Sequence, residues 1–192
     1  MNVPEIITAD RKDLDRIKGV LKLGFASDAL LRWVFPDAAN YLKSFDLWMQ
    51  EFSKIAYEND LVYSEKNFAG ASIWHPPGAE FDEAVLEPTF DAIPEERLET
   101  VAKFFEEFET YHPDDAWYLA FIAVDPSQQR KGIGSLLLRE ALQMIDQRGD
   151  RAYLEATSEQ NKALYERHGF VEIGKVQFQD SPPAFPMIRE AR

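Results

Sequence analysis

The chain has 192 residues, 45% of them hydrophobic and 29% charged, which is enough apolar material for one core and too little length for two ordinary domains. Lys and Arg total 21 against 34 Asp and Glu, a formal net charge of -13, and so acidic a surface argues against nucleic-acid and anionic-membrane partners. With Cys 0, disulfides, thiolate zinc sites and a cysteine nucleophile are excluded, and a reducing compartment fits.

The longest apolar run, Ala116 to Val124, falls well short of the about 20 residues that a membrane-spanning helix needs. The opening Met1-Asn2-Val3-Pro4-Glu5, soon followed by Arg11, Lys12 and Asp13, lacks the basic and apolar regions of a secretory leader. A soluble, cytoplasmic protein is expected. No repeat, low-complexity tract or Gly/Ser linker interrupts the chain, so residues 1–192 are read as a single domain.

In chain order, Leu14, Ile17, Val20, Leu21 and Phe25 recur at helical spacing within residues 10–33, and Leu42, Phe45, Trp48, Met49 and Phe52 repeat the pattern, so two amphipathic helices are expected first. Leu61-Val62-Tyr63 and Phe68 to Trp74 predict a β-hairpin turned at Glu65-Lys66-Asn67 and ended by Pro76-Pro77-Gly78. Residues 76–115 are too long for a bare connection. Pro94-Glu95-Glu96 marks the first turn of a helix with Leu98, Val101, Phe105 and Phe108 on one face, read either as a cover for the sheet or as a substrate lid.

Trp117 to Val124 is apolar without alternation, as in a strand buried on both faces, and Asp125-Pro126 ends it. A polar loop, Ser127 to Lys131, leads through Gly132 and Gly134 into a helix carrying Leu137, Leu138, Ala141, Leu142, Met144 and Ile145, with Gly149 as its stop. Ala152 to Ala156 is another strand, Asn161 to His168 a short helix closed by Gly169, and Phe170 to Ile173 a further strand. The order defines an α/β class.

Glycines at two of three positions let successive amides turn toward one point, where the following helix adds its positive dipole end. Arg130 and Lys131 place cations beside that nest, and the plain alternative is a tight turn with solvated basic residues. A dinucleotide fingerprint fails, because Leu137 occupies the third glycine position and the N-terminal half shows no repeated βα units. Walker A, G-x-S-x-G and H-E-x-x-H motifs are absent, and His75, His112 and His168 have no metal-ligand spacing, so no metal is inferred.

The loop Gln129-Arg130-Lys131-Gly132-Ile133-Gly134 resembles the Q/R-x-x-G-x-G/A acetyl-CoA loop of the GCN5-related N-acetyltransferases. The resemblance extends to the strand Trp117 to Val124, to Tyr153-Leu154-Glu155-Ala156-Thr157, and to Asn161-x-x-x-Tyr165-Glu166-Arg167-His168-Gly169-Phe170. It covers residues 112–174 and is strongest to the branch containing puromycin N-acetyltransferase. It implies a mixed central sheet splayed at a bulge, flanked by helices, with residues 76–115 as a helical insert or lid. It also implies acetyl-CoA as acyl donor: the pantetheine arm pairs with the backbone of Ile122, Ala123 and Val124, Gln129 opens the loop, and the amides of Arg130, Lys131, Gly132, Ile133, Gly134 and Ser135 hold the pyrophosphate.

Asn161 and Tyr165, four apart, share a helix face toward the cofactor if Ala163 and Leu164 anchor the other side. A Tyr hydroxyl is protonated at neutral pH and can protonate a leaving thiolate, which makes Tyr165 the candidate general acid; a packed aromatic is the alternative. Glu155, ending a strand beside the cofactor gap, is the first candidate base and cation attractor, with His112 behind it. The expected activity is direct acetyl transfer to a small cationic amine. A non-catalytic acetyl-CoA-binding domain and a dinucleotide-dependent oxidoreductase are the rivals, and a homodimer stays open.

Overall fold

The computed structural model describes residues 4–192, so Met1, Asn2 and Val3 of the N-terminal stretch lie outside it. The chain runs β1 (Ile6–Thr8), α1 (Leu14–Phe25), α2 (Ala29–Val34), α3 (Ala38–Glu58), β2 (Val62–Glu65), β3 (Gly70–His75), α4 (Glu83–Phe90), α5 (Glu95–Glu109), β4 (Ala116–Val124), α6 (Ile133–Arg148), β5 (Arg151–Ala156), α7 (Glu159–Arg167), β6 (Val171–Glu172) and β7 (Phe185–Arg189). The strands form one sheet in the order β1-β2-β3-β4-β5-β7-β6. Every neighbouring pair is antiparallel except β4 and β5. This is the expected mixed α/β sheet with helices packed against it.

The first helical stretch differs from its expectation. The spacing over residues 10–33 is not one helix: α1 ends at Phe25, and Asp28 starts α2 by accepting a hydrogen bond from the Leu31 amide at 3.0 Å. Side-chain capping of this kind satisfies amides that a helix end leaves free and so fixes the break. Asp37 caps α3 the same way through Asn40 N at 2.9 Å. Within α3, Tyr41, Phe45 and Met49 are buried while Leu42 is 46% exposed. Within α5, Val101, Phe104 and Phe108 face inward, whereas Leu98 and Phe105 are exposed, and Phe104 packs on Trp33 of α2. The α5 stripe thus keeps Val101 and Phe108 of the predicted face, replaces Phe105 with Phe104 and leaves Leu98 out, and it covers α2.

Three features position the site. First, β3 and β4 lose register between Ile73 and Trp74, which pair with Phe121 and Leu119, so Ala120 is an extra residue in β4. An inserted residue inverts the strand's alternation, and Tyr118 and Phe121 therefore share one face: Tyr118 lies against His75, and Phe121 against Phe52. Second, β4 pairs with β5 only through Ala116, Trp117 and Tyr118, opposite Arg151, Ala152 and Tyr153. Beyond that point the two parallel strands part. Third, Gly24 of α1 approaches β4 so closely that a Cβ there would lie 2.4 Å from Ala123 Cβ, which fixes α1 against the strand that forms one wall of the gap.

The β7 end of the sheet is tied by an ion pair whose arginine is buried and whose carboxylate is partly exposed. Arg189 of β7 is 4% exposed and donates to both carboxylate oxygens of Asp146 on α6, at 2.7 and 2.8 Å, and to the His168 carbonyl at 2.9 Å. One guanidinium thus joins β7, α6 and the end of α7 by charge-assisted, bidentate geometry.

Candidate active site

The strand–loop–helix unit closes on the open side of β4. Asp125 accepts from Ser127 N at 2.8 Å and Gln129 donates to the Val124 carbonyl at 3.3 Å, which turns the chain out of the strand. Arg130 and Gly132 both adopt left-handed backbone, φ 63° and 82°, and such alternation is what folds amides into an anion-binding concavity. The first helical bond of α6 runs from Leu136 N to Gly132 O at 3.1 Å, so the amides of Ile133, Gly134 and Ser135 precede the helical ladder and point out of the N-terminus. Gly134 has an ordinary helical φ, and a Cβ there would meet only Leu164 and Val124 side chains at 3.7 and 3.8 Å. Nothing inside the protein demands glycine at this position, whereas a ligand approaching the amides would.

Ile133 is buried in the core beneath the loop, and Ile122, Ala123 and Val124 are partly buried along β4. Their backbone pairs with β3 on one side and, past Tyr118, faces the gap on the other. Arg130 and Lys131 are exposed, with Lys131 bonded to Gln128 at 2.6 Å. The Ser135 hydroxyl is held 2.6 Å from His168 Nε2, joining the first turn of α6 to the end of α7.

Helix α7 starts at Ser158, whose hydroxyl accepts from Asn161 N at 3.2 Å. The Asn161 amide group reaches Thr157 Oγ1 at 3.5 Å, and Thr157 in turn donates to Asp28 at 2.5 Å. Ala163 is exposed, so Leu164 and Tyr165, not Ala163, carry the helix's packing. Tyr165 is 6% exposed and packs edge-on against Phe170. Burial raises its hydroxyl pKa well above the usual value, and the nearby Asp28 and Glu155 carboxylates push the same way. The phenol thus holds its proton at neutral pH.

Glu155 of β5 lies two residues beyond the last β4–β5 pair, on the same face as Tyr153. Burial is the largest influence on its carboxyl and pushes its pKa up to about 7; Glu109 adds to the rise, and the Tyr118 and Tyr153 hydroxyls oppose it. Burial outweighs that opposition. His112 packs edge-on against both tyrosine rings, with centroids 4.8 and 5.0 Å away.

Glu155 lies where β4 and β5 part, and Tyr165 is near enough to feel its carboxylate; Tyr118, Tyr153 and His75 stand beside Glu155 as a row of rings, which the sequence named without grouping. Alternation in β5 placed Tyr153 beside Glu155 and could have been read. The neighbourhood of Tyr118 could not, because the bulge at Ala120 sets it.

A mixed sheet whose central parallel pair opens over a glycine-turned helix N-terminus is the architecture of GNAT acetyltransferases, and that is the fold of this chain. Residues 96–172 match the model of the acetyltransferase (GNAT) domain family. An uncharacterized N-acetyltransferase of Schizosaccharomyces pombe is 29% identical over 165 residues, 75% of this chain and 66% of that protein; the match thus spans slightly under two thirds of that relative. The crystal structure of a Corynebacterium glutamicum protein described as histone acetyltransferase HPA2 and related acetyltransferase superposes with TM-score 0.71 at 24% identity, covering 100% of this chain and 98% of that one. Arylalkylamine N-acetyltransferase 2 of Aedes aegypti superposes with TM-score 0.66 at 14% identity, covering 100% of both. Together the comparisons show the fold of GNAT acetyltransferases. Among the described residues, no helix is long and apolar enough to cross a membrane.

Proposed function

We propose that this chain is an acetyl-CoA-dependent N-acetyltransferase acting on a small cationic amine, working as one catalytic domain in the cytoplasm. One observation carries the reading: the parallel strands β4 and β5 part after Tyr118 and Tyr153, with the loop amides at one end of the gap and Glu155 and Tyr165 at its sides. The residues fit an extended phosphate-bearing thioester. The backbone of Ile122, Ala123 and Val124 would pair with the pantetheine amides, the amides of Arg130 to Ser135 with Gln129 behind them would hold the pyrophosphate, and Asn161 would line the same side.

Bound acetyl-CoA would supply an electrophilic thioester carbonyl and a thiolate leaving group. Glu155, with its carboxyl near pKa 7, would attract the ammonium form of the acceptor and take its proton, leaving a neutral amine to attack. Tyr165, kept protonated by burial and by the Asp28 and Glu155 carboxylates, would deliver a proton to the departing sulfur. Helices α4 and α5, within residues 76–115, would cover the acceptor side. The order of matches with the puromycin N-acetyltransferase branch supports a small acceptor over a protein tail.

Calorimetry and thermal shift with acetyl-CoA, set beside NAD and NADP, test the donor. Stabilisation by acetyl-CoA together with product mass spectrometry from an amine panel supports the reading; equal stabilisation by NAD, or binding of acetyl-CoA with no transfer to any amine, defeats it.

A further inference from the structure

We infer that the open cleft between α6, the end of α7 and the end of β7 is a second ligand site, which takes a small multivalent oxyanion, a phosphate ester or a polycarboxylate. It lies apart from the candidate acetyl-transfer centre and does not rest on that reading.

The cleft measures about 650 Å³, within the range of small-molecule sites. Arg139, Arg167, Arg189 and Arg192 line it, and Asp146 is the one carboxylate beside them among the described residues. Four guanidiniums against one carboxylate leave three positive charges in a chain whose net charge is -13. Like charges so placed repel one another, and a bound anion is what offsets the repulsion. The crowding is felt locally. Burial first, and then the Arg139, Arg167 and Arg189 guanidiniums, hold the His168 imidazole below its usual pKa, so three of the four charges converge on one ring in the cleft wall.

The carboxylate is already committed. Both Asp146 oxygens accept from Arg189, and one also accepts from the Arg192 amide at 3.1 Å. Arg139 and Arg167 are exposed and meet no carboxylate among the described residues; Arg167 donates one Nη1 bond to the Ala163 carbonyl at 2.8 Å. Their remaining donors are free for a ligand. Arg139, Gln143 and Gln147 stand four apart and share one face of α6, which adds two amide groups to the same wall, and the buried Leu142 gives it an apolar floor. Guanidinium forks match the paired oxygens of phosphate and carboxylate groups, and three uncompensated charges suit a dianion or trianion over a single carboxylate.

Position separates this cleft from the glycine loop. Gln143 lies nine residues beyond Gly134 on α6, about 13 Å along the helix axis. Arg189 pairs with Ala152, three residues back from Glu155 on β5, about 10 Å along the strand. An anion in the cleft therefore uses none of the loop amides.

The test is calorimetry of the full chain at low salt with pyrophosphate, citrate and acetate, each with and without saturating acetyl-CoA. With acetyl-CoA present, one pyrophosphate or citrate per chain is expected, bound at least about tenfold more tightly than acetate. Tighter pyrophosphate assigns the cleft to phosphate esters, and tighter citrate assigns it to polycarboxylates. Arg139→Gln and Arg167→Gln should each weaken that binding about tenfold or more, as loss of a charge-assisted contact does, while keeping the wild-type affinity for acetyl-CoA. Lys43→Gln, at an exposed position of α3, should change nothing. Absence of binding by both multivalent anions, its loss when acetyl-CoA is present, unchanged affinity in both arginine variants, equal weakening in Lys43→Gln, or tighter binding of a hexaglutamate peptide overturns the assignment. Failure of acetyl-CoA to bind defeats the acetyl-transfer reading alone, and the arginine variants then still decide this one.

Discussion

Glu155→Gln keeps the size and shape of the side chain and removes only its ability to ionise, so its consequences separate cleanly into chemistry and stability. In the wild type the carboxyl titrates near pH 7 because burial disfavours its charged form. As a base it is active when deprotonated, so kcat/KM should climb between about pH 6 and 8 and level off above. In Glu155→Gln that rise should vanish and activity should shift to the higher pH at which the free amine itself loses its proton, about 10 for an alkylamine.

The stability effect has the opposite sense. A carboxyl whose pKa is raised on folding binds its proton more tightly in the folded state, so its favourable contribution is complete below the unfolded value of 4.5 and is lost as pH rises toward 7. At about 1.36 kcal/mol per unit the loss has a ceiling near 3 kcal/mol, and because the carboxyl is partly open to solvent about 1–2 kcal/mol is expected. Glu155→Gln escapes the loss. Its Tm relative to wild type should therefore be higher at pH 8 than at pH 4.5 by about 2–8 °C. His75 masks this in the wild type alone: its pKa is depressed to about 4, so its contribution, present above pH 6.5, falls away as pH drops, and the two trends oppose each other over the same range. The paired comparison removes His75 from the difference. A Tm difference that is identical at pH 4.5 and pH 8 would refute the buried-carboxyl argument, and an unchanged activity profile would move the base elsewhere.

Tyr165→Phe should lower turnover by about 10- to 1000-fold with little change in acetyl-CoA affinity, since the ring still fills its place against Phe170; near-normal turnover with chemistry rate-limiting sinks the acid role. Gly134→Glu should abolish CoA binding in calorimetry while the circular dichroism spectrum stays native, because its Cβ has ordinary space and only the approach to the amides is blocked. Asp146→Ala should lower stability in denaturant titration by about 1–3 kcal/mol by removing the partner of the buried Arg189 guanidinium; no measurable cost would show that solvent replaces the carboxylate.

Much of the second half of the chain was legible because its signals are local. Gly132 and Gly149 both take left-handed φ at the ends of α6, as glycines flanking an apolar helical stripe predict. Glu155 stands out only through the resemblance, which puts the end of its strand beside a cofactor gap; by itself a carboxylate at a strand end is ordinary. What escaped the sequence depends on pairing. Strand β1 has three residues, too few to show alternation. Strand β7 contains Pro186 and follows Ser181-Pro182-Pro183, a composition that reads as loop, yet it pairs with β5 from Ala156 to Ala152. In α4, Pro88 lies inside a helix where it normally signals a break. The aromatic row of His75, Tyr118 and Tyr153 is contributed by three strands, and only the register set by the extra residue Ala120 aligns it.

The place of β7 bears on how the fold assembles. It follows β6 in the chain but lies between β5 and β6 in the sheet, so during synthesis the strand bearing Glu155 has an open edge until Phe185 to Arg189 emerge. The β6 segment cannot take that place without leaving β7 displaced, and contacts so distant along the chain form slowly. Assembly of the Glu155-bearing end of β5 is therefore a late event on the nascent chain. Until it occurs, the unpaired edge of β5 is exposed to pairing with neighbouring chains, so growth temperature and chaperone supply should govern the yield of active protein more strongly than its final stability does.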